Sequence, residues 1–145
     1  MSSGPYDLER FVAAQASIYE QALAELRAGC KRSHWMWFIF PQIAGLGTSP
    51  MSRRYTIRNL DEARAYLAHP LLGARLRACA EALLAIEGKG AREILGSPDD
   101  LKLRSSATLF ACISPKGSVF HRLLERYFVG MLDPLTLERC GMERL

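Results

Sequence analysis

Lys31-Arg32-Ser33-His34-Trp35-Met36-Trp37-Phe38-Ile39-Phe40-Pro41-Gln42 is the stretch whose reading decides the fold, and it holds both tryptophans of the chain. Six consecutive large apolar residues, Trp35 to Phe40, are more than one face of a surface helix needs. They must be buried on most sides or partly bare for a ligand. A run this short cannot be assigned to helix or strand from periodicity. Truncating a buried aromatic residue typically costs about 3–5 kcal/mol, so this stretch is the expected nucleus of the core. Trp37, Phe38 and Phe40 are expected inside. His34 and Trp35 carry polar handles beside Lys31 and Arg32, and are expected at the edge where the stretch meets water.

Upstream, Asp7 is placed to cap a first helix whose apolar residues Leu8, Phe11, Val12, Ile18, Tyr19, Ala22, Leu23 and Leu26 recur at three- and four-residue spacing, with Gly29 as its stop. Downstream, residues 42–58 form a connection longer than the ~12–15 residues usual for an unstructured loop. Its Gly45/Gly47 half is permissive backbone able to approach a ligand closely, and Ser52 to Ile57 has room for a helical turn or two. Asn59 and Glu62 have capping-box spacing and open a short helix that His69-Pro70 ends. Pro70 begins the next, with Leu72, Leu76, Cys79, Ala80, Leu83 and Ile86 along one stripe. Ala91 to Leu95 is a further helical piece. Ser97-Pro98-Asp99-Asp100 is a strong helix start for residues 98–112, Val119 to Phe128 is amphipathic, and Asp133-Pro134 caps a last helix.

No Asn-Gly hairpin and no clear period-two alternation occur. The expectation is an all-α, single compact domain of about seven helices with one long Gly-containing loop, its core spanning residues 7–140. The 145 residues, 49% apolar and 23% charged, suit one domain with its own core, and no run approaches a membrane span. The start of the chain lacks a basic segment followed by an apolar one, and the four cysteines form no Cys-x-x-Cys pair. Both point to the cytoplasm. A net charge of +4, with nineteen cations scattered among fifteen acids, favours anionic partners weakly. Nucleic acid is not favoured, since no basic stripe or recognition motif is present.

The usual catalytic patterns are absent. His34, His69 and His121 are not spaced as a metal pair, no cofactor motif is complete, and Gly45-Leu46-Gly47-Thr48-Ser49 lacks the rest of a phosphate loop. Small residues in the middle of the Asp100 to Thr108 segment suggest close approach by another backbone or a ligand. Three segments therefore supply the candidate site: stacking surfaces in Trp35, Trp37 and Tyr55, cations in Lys31, Arg53, Arg54, Lys102 and Arg104, hydroxyls in Ser105, Ser106 and Thr108, with His34 and Gly45 beside them. That inventory suits a small anionic, nucleotide-like ligand. The plainer alternatives are solvated cations, an Asp100 to Arg104 pair along one helix face, and serines that serve helix packing.

These same residues, Lys31 to Gln42, Gly45-Leu46-Gly47-x-Ser49, Tyr55-x-Ile57 and Asp100-x-Lys102-Leu103-Arg104-Ser105-Ser106-x-Thr108-Leu109-Phe110, resemble the hallmark segments of a bacterial family of small uncharacterised α-helical proteins, sometimes labelled calpastatin-like. The resemblance spans Leu8 to Leu137 and implies a helical fold. The label implies protease inhibition, yet inhibitors of that class are disordered and this composition is globular. A second similarity, through helical organisation and a late helix bearing a lysine, is to the NADAR group and implies ADP-ribose chemistry. On that basis the reaction would be hydrolysis of an N-glycosidic bond, with Glu62 or Asp100 as the carboxylate that activates water or stabilises charge. The rival classes are a non-catalytic protein-interaction module and a weak nucleic-acid binder. A cleft joining Trp35, Tyr55 and Lys102 favours ligand binding, whereas their separation favours the interaction module.

Overall fold

The computed structural model describes residues 6–47 and 49–141, so most of the N-terminal stretch read above lies outside it. Among these residues the order is α1 (Glu9–Gln15), α2 (Tyr19–Ala28), α3 (Met36–Ile39), β1 (Gln42–Ile43), α4 (Pro50–Arg54), β2 (Thr56–Ile57), α5 (Leu60–Ala68), α6 (Leu72–Leu84), α7 (Ala91–Leu95), α8 (Asp99–Ala111), α9 (Val119–Phe128) and α10 (Pro134–Arg139). The chain is mostly helical, as expected, but with ten helical segments instead of about seven.

Local chemistry explains the difference. The single first helix expected from its apolar stripe is broken at Ala16–Ile18, where the backbone tightens into bonds from Ala16 N to Ala13 O and from Ile18 N to Gln15 O. There Gln15, buried, donates its amide to the Phe38 carbonyl at 2.6 Å and to the Tyr66 hydroxyl at 3.1 Å. The aromatic stretch itself supplies the short α3. In the long loop, the Ser49 hydroxyl accepts from Ser52 N at 3.1 Å and Pro50 occupies the first turn, which starts α4. The strands flanking it pair in parallel, Gln42 with Thr56 and Ile43 with Ile57. A two-residue ladder is too short to leave an alternating pattern in the sequence.

The termini of the helices follow the expected caps in part. Gly29 ends α2 at φ 75°, and Asp133 caps α10 by accepting from Thr136 N. Asp7 and Ser97 make no side-chain cap. Asn59 accepts from Glu62 N at 2.9 Å, but the Glu62 carboxylate reaches past it to Arg58 N at 2.7 Å.

Helix α8 is the axis of the domain. It packs against α5, α7, α9, α10 and β1, and the unbroken run Ser105–Ala111 is buried. A helix covered on nearly every side needs small residues where neighbours approach, which accounts for its serines, alanines and threonine. Around it, α6 packs on α2, α5 and α9. Phe11, Tyr66, Phe110 and Phe120 form an aromatic chain through the core with successive ring centroids 5.1, 5.6 and 5.4 Å apart. No helix among the described residues is long and apolar enough to cross a membrane.

Candidate functional site

The site begins with a carboxylate that the sequence reading overlooked. Glu25 lies on the buried face of α2, between Leu23 and Leu26. Its Oε1 accepts from Arg32 N at 2.7 Å, Ser33 N at 3.0 Å and the Trp35 indole Nε1 at 2.9 Å. Its Oε2 accepts from the Ser33 hydroxyl and from Gln21 Nε2 at 3.1 Å. Burial opposes the charge, but the bonds from the Ser33 hydroxyl, Arg32 N, Trp35 and Ser33 N outweigh it and hold the carboxyl down at about 2. One side chain thereby fixes the turn from Arg32 to Trp35, while Lys31 N donates to the Ile94 carbonyl at 2.7 Å.

Beside that turn two cations meet. Lys31 Nζ lies 2.9 Å from Asp99 Oδ2 and 5.1 Å from the Trp35 ring centroid. Lys102 Nζ, in the first turn of α8, lies 3.3 Å from Asp99 Oδ1 and 3.9 Å from the Trp37 ring centroid. Each ammonium is thus placed over an indole, and the two share one carboxylate. Lys31, His34, Trp35, Met36, Trp37, Ser97, Pro98, Asp99 and Lys102 enclose a cavity of about 270 Å³. A larger one of about 570 Å³ adjoins it through Trp37, Pro98 and Lys102. Its other walls are Gln42, Ile43, Leu46, Gly47, Ser49, Ser52 and Thr56 from the long loop, and Leu101, Arg104, Ser105, Asp133 and Leu135 from α8 and α10. Their combined size is within the range of small-molecule sites.

Of the expected ligand residues, Lys31, His34, Trp35, Trp37, Lys102, Arg104 and Ser105 therefore come together, and the others do not. Trp35 and Trp37 exchange the places expected of them. Trp35 is 1% exposed because its indole N–H finds Glu25, while Trp37 is only half-buried and faces both chambers. Tyr55 lines neither chamber and packs edge-on against Phe38 and Phe11, centroids 4.8 and 5.9 Å away. Arg54 is exposed with its guanidinium over Tyr55. Gly45 lies just outside the cleft at φ 96°, in a turn where a Cβ would fall 2.9 Å from the Arg139 guanidinium.

The hydroxyls of α8 mostly serve the fold. Ser105 Oγ bonds Leu101 O at 3.2 Å and Asp133 Oδ2 at 3.1 Å, and Thr108 Oγ1 donates to Arg104 O and accepts from Asp133 N. Ser106 is buried with no hydrogen-bond partner among the described residues. Arg104 donates to the carbonyls of Met131 and Leu132, so the expected pair with Asp100 does not form.

Neither expected catalytic carboxylate lines the cleft. Glu62 is fully buried 3.1 Å from Arg10, whose guanidinium also donates to Arg54 O at 2.8 Å and Thr56 O at 2.7 Å. Its geometry is that of a strut between α1, β2 and α5. Asp100 Oδ1 is buried and unpartnered among the described residues. The carboxylates that do line the cleft are Asp99 and Asp133. The i,i+3 spacing of Asp99 and Lys102 was the available signal for the first; nothing local marks Asp133 beyond its cap.

A family model matches residues 5–140. The chain belongs to the DUF1810 family, described as a protein family of unknown function. As a DUF1810 protein it is similar, at 49% identity and a TM-score of 0.93, to the crystal structure of the conserved hypothetical protein Rv1873 from Mycobacterium tuberculosis. The similarity covers 97% of this chain and 100% of that one. No curated protein matches. These matches support membership of an uncharacterised family and support neither the calpastatin label nor the NADAR link.

Proposed function

We propose that this DUF1810 protein binds a small anionic ligand of nucleotide-like chemistry in the two-chambered cleft, with the anion held by Lys31 and Lys102. The observation that carries this is the sharing of Asp99 by two ammonium groups, 2.9 and 3.3 Å away. Lys31 and Lys102 are largely buried, with side chains 8% and 22% exposed, and one carboxylate leaves them a net positive charge in a recess. An arriving phosphate or carboxylate would complete the compensation, and restricted solvent strengthens that attraction. Binding and not hydrolysis is proposed, because Glu62 and Asp100, the carboxylates expected to act on a glycosidic bond, stand outside the cleft walls.

The test is tryptophan fluorescence and thermal melting against inorganic phosphate, AMP and ADP-ribose. Trp37, under the Lys102 ammonium, is the reporter. Saturable quenching is expected, with a rise in stability of about 2.7 kcal/mol at a hundredfold excess over Kd, both lost in Lys102→Ala. No response to any of the three would refute the proposal.

A second reading, a protein-docking surface, is favoured by the separation of Tyr55 from Trp35 and Lys102 and by one further feature. Leu101, Met131 and Leu135 are 54, 61 and 60% exposed, and Leu101 and Leu135 form part of the large chamber's wall. It becomes the leading reading if all three ligands fail.

A further inference from the structure

The large chamber has a mixed lining. Leu46, Leu101 and Leu135 offer apolar surface, whereas Gln42, Ser49 and Asp133 offer hydrogen-bonding groups. Among these, Asp133 is the one that carries a formal charge. The bonds it accepts from Ser105 Oγ, Thr136 N and the Thr136 hydroxyl all fall on Oδ2. Oδ1 is left without a protein partner among the described residues. An acceptor of that kind, charged and already held in place by its sister oxygen, is preorganised for hydroxyl or amine donors. At the other end of the cleft, across the shared Trp37 and Lys102, are ammonium groups that want an anion.

We infer that the ligand is a phosphate ester of a hydroxyl-bearing ring, either a sugar phosphate or a nucleotide, with its phosphate at Lys31 and Lys102 and its ring hydroxyls read by Asp133 Oδ1. A sugar ring has an apolar C–H face and a rim of hydroxyls, which suits a lining that offers both leucines and hydrogen-bonding groups. A plain inorganic anion or a carboxylic acid without donors would fill only the small chamber and leave Asp133 unpaired. The inference rests on the anion site proposed above, but adds a residue and a ligand class to it.

The experiment compares affinities of the full chain for inorganic phosphate, ribose 5-phosphate and AMP, in the wild type and in Asp133→Asn. Asparagine caps helices as well as aspartate does, so its amide oxygen can take over the bonds of Oδ2 while its nitrogen replaces the free acceptor with a donor. Wild type should bind ribose 5-phosphate at least about tenfold more tightly than inorganic phosphate, as a hydrogen bond to a charged group provides. Asp133→Asn should abolish that advantage without weakening the binding of inorganic phosphate, since it removes a negative charge from the cleft. AMP binding more tightly than ribose 5-phosphate would assign the nucleotide, and equal affinities the sugar phosphate. Equal affinity of the wild type for phosphate and ribose 5-phosphate would overturn the inference with the anion site intact. That comparison needs no variant, so it decides even if Asp133→Asn fails to fold. An advantage that survives in a folded Asp133→Asn would overturn it as well. Absence of any phosphate binding would remove the anion site and this inference together.

Discussion

Replacing Glu25 by Gln isolates the charge that organises the site. The folded carboxyl sits at about 2 against an ordinary value of 4.5, a difference of ~2.5 pH units. At ~1.4 kcal/mol per unit this is ~3.4 kcal/mol at neutral pH, and allowing for the solvent that reaches the carboxylate leaves about 2–3 kcal/mol. The neutral amide can keep the hydrogen bonds. Its oxygen can face Arg32 N, Ser33 N and Trp35 Nε1, its nitrogen can take the place of Oε2, and the Ser33 hydroxyl and the Gln21 amide can turn to accept. What Glu25→Gln removes is therefore the charge. Because the folded value is depressed, the stabilisation is full above about pH 4.5 and declines as pH falls toward 2, with more than half gone by ~pH 3. Urea titration at pH 7 should show the variant about 2–3 kcal/mol less stable, equivalent to roughly 5–10 °C in Tm for a domain of this size. The gap should narrow steadily on acidification to pH 3. A variant as stable as wild type at pH 7, or a gap that does not shrink in acid, would refute the assignment of that charge to the Arg32 to Trp35 turn.

Three further outcomes follow from the same geometry. Arg10→Ala strands Glu62 as a buried, unpaired carboxylate, and should cost about 3–5 kcal/mol in urea unfolding, more than truncating any exposed arginine. Gly73→Ala should destabilise by at least ~2 kcal/mol, since the added Cβ would lie 2.1 Å from the Leu67 carbonyl oxygen, and calorimetry would register it as a lower Tm. Ser106→Ala should be neutral or stabilising by up to ~1 kcal/mol, because it removes a buried hydroxyl with no partner; a loss above 1 kcal/mol would show that the hydroxyl is in fact satisfied.

The sequence by itself determined the helical class, the apolar nucleus at Trp35 to Phe40, the stops at Gly29 and Pro70, and the cap at Asp133. Each of these is a local matter of periodicity, backbone freedom or a hydrogen bond within one turn. It also singled out Lys31, His34, Trp37, Lys102 and Ser105, because cations set beside aromatics are unusual on a plain solvated face. Only the tertiary structure decided which tryptophan is buried. That depends on where α2 carries the Glu25 carboxylate, ten residues from Trp35 along the chain. Only the tertiary structure, too, kept Tyr55 and Arg54 out of the cleft lining and turned Glu62 into Arg10's partner, since the register of β1 on β2 and the packing of α1 fix those directions. Asp133 shows the limit most plainly. Its cap is written in the residues that follow it, but the cavity it lines is made by a loop some eighty residues earlier, and no pattern along the chain encodes the meeting of two such distant surfaces.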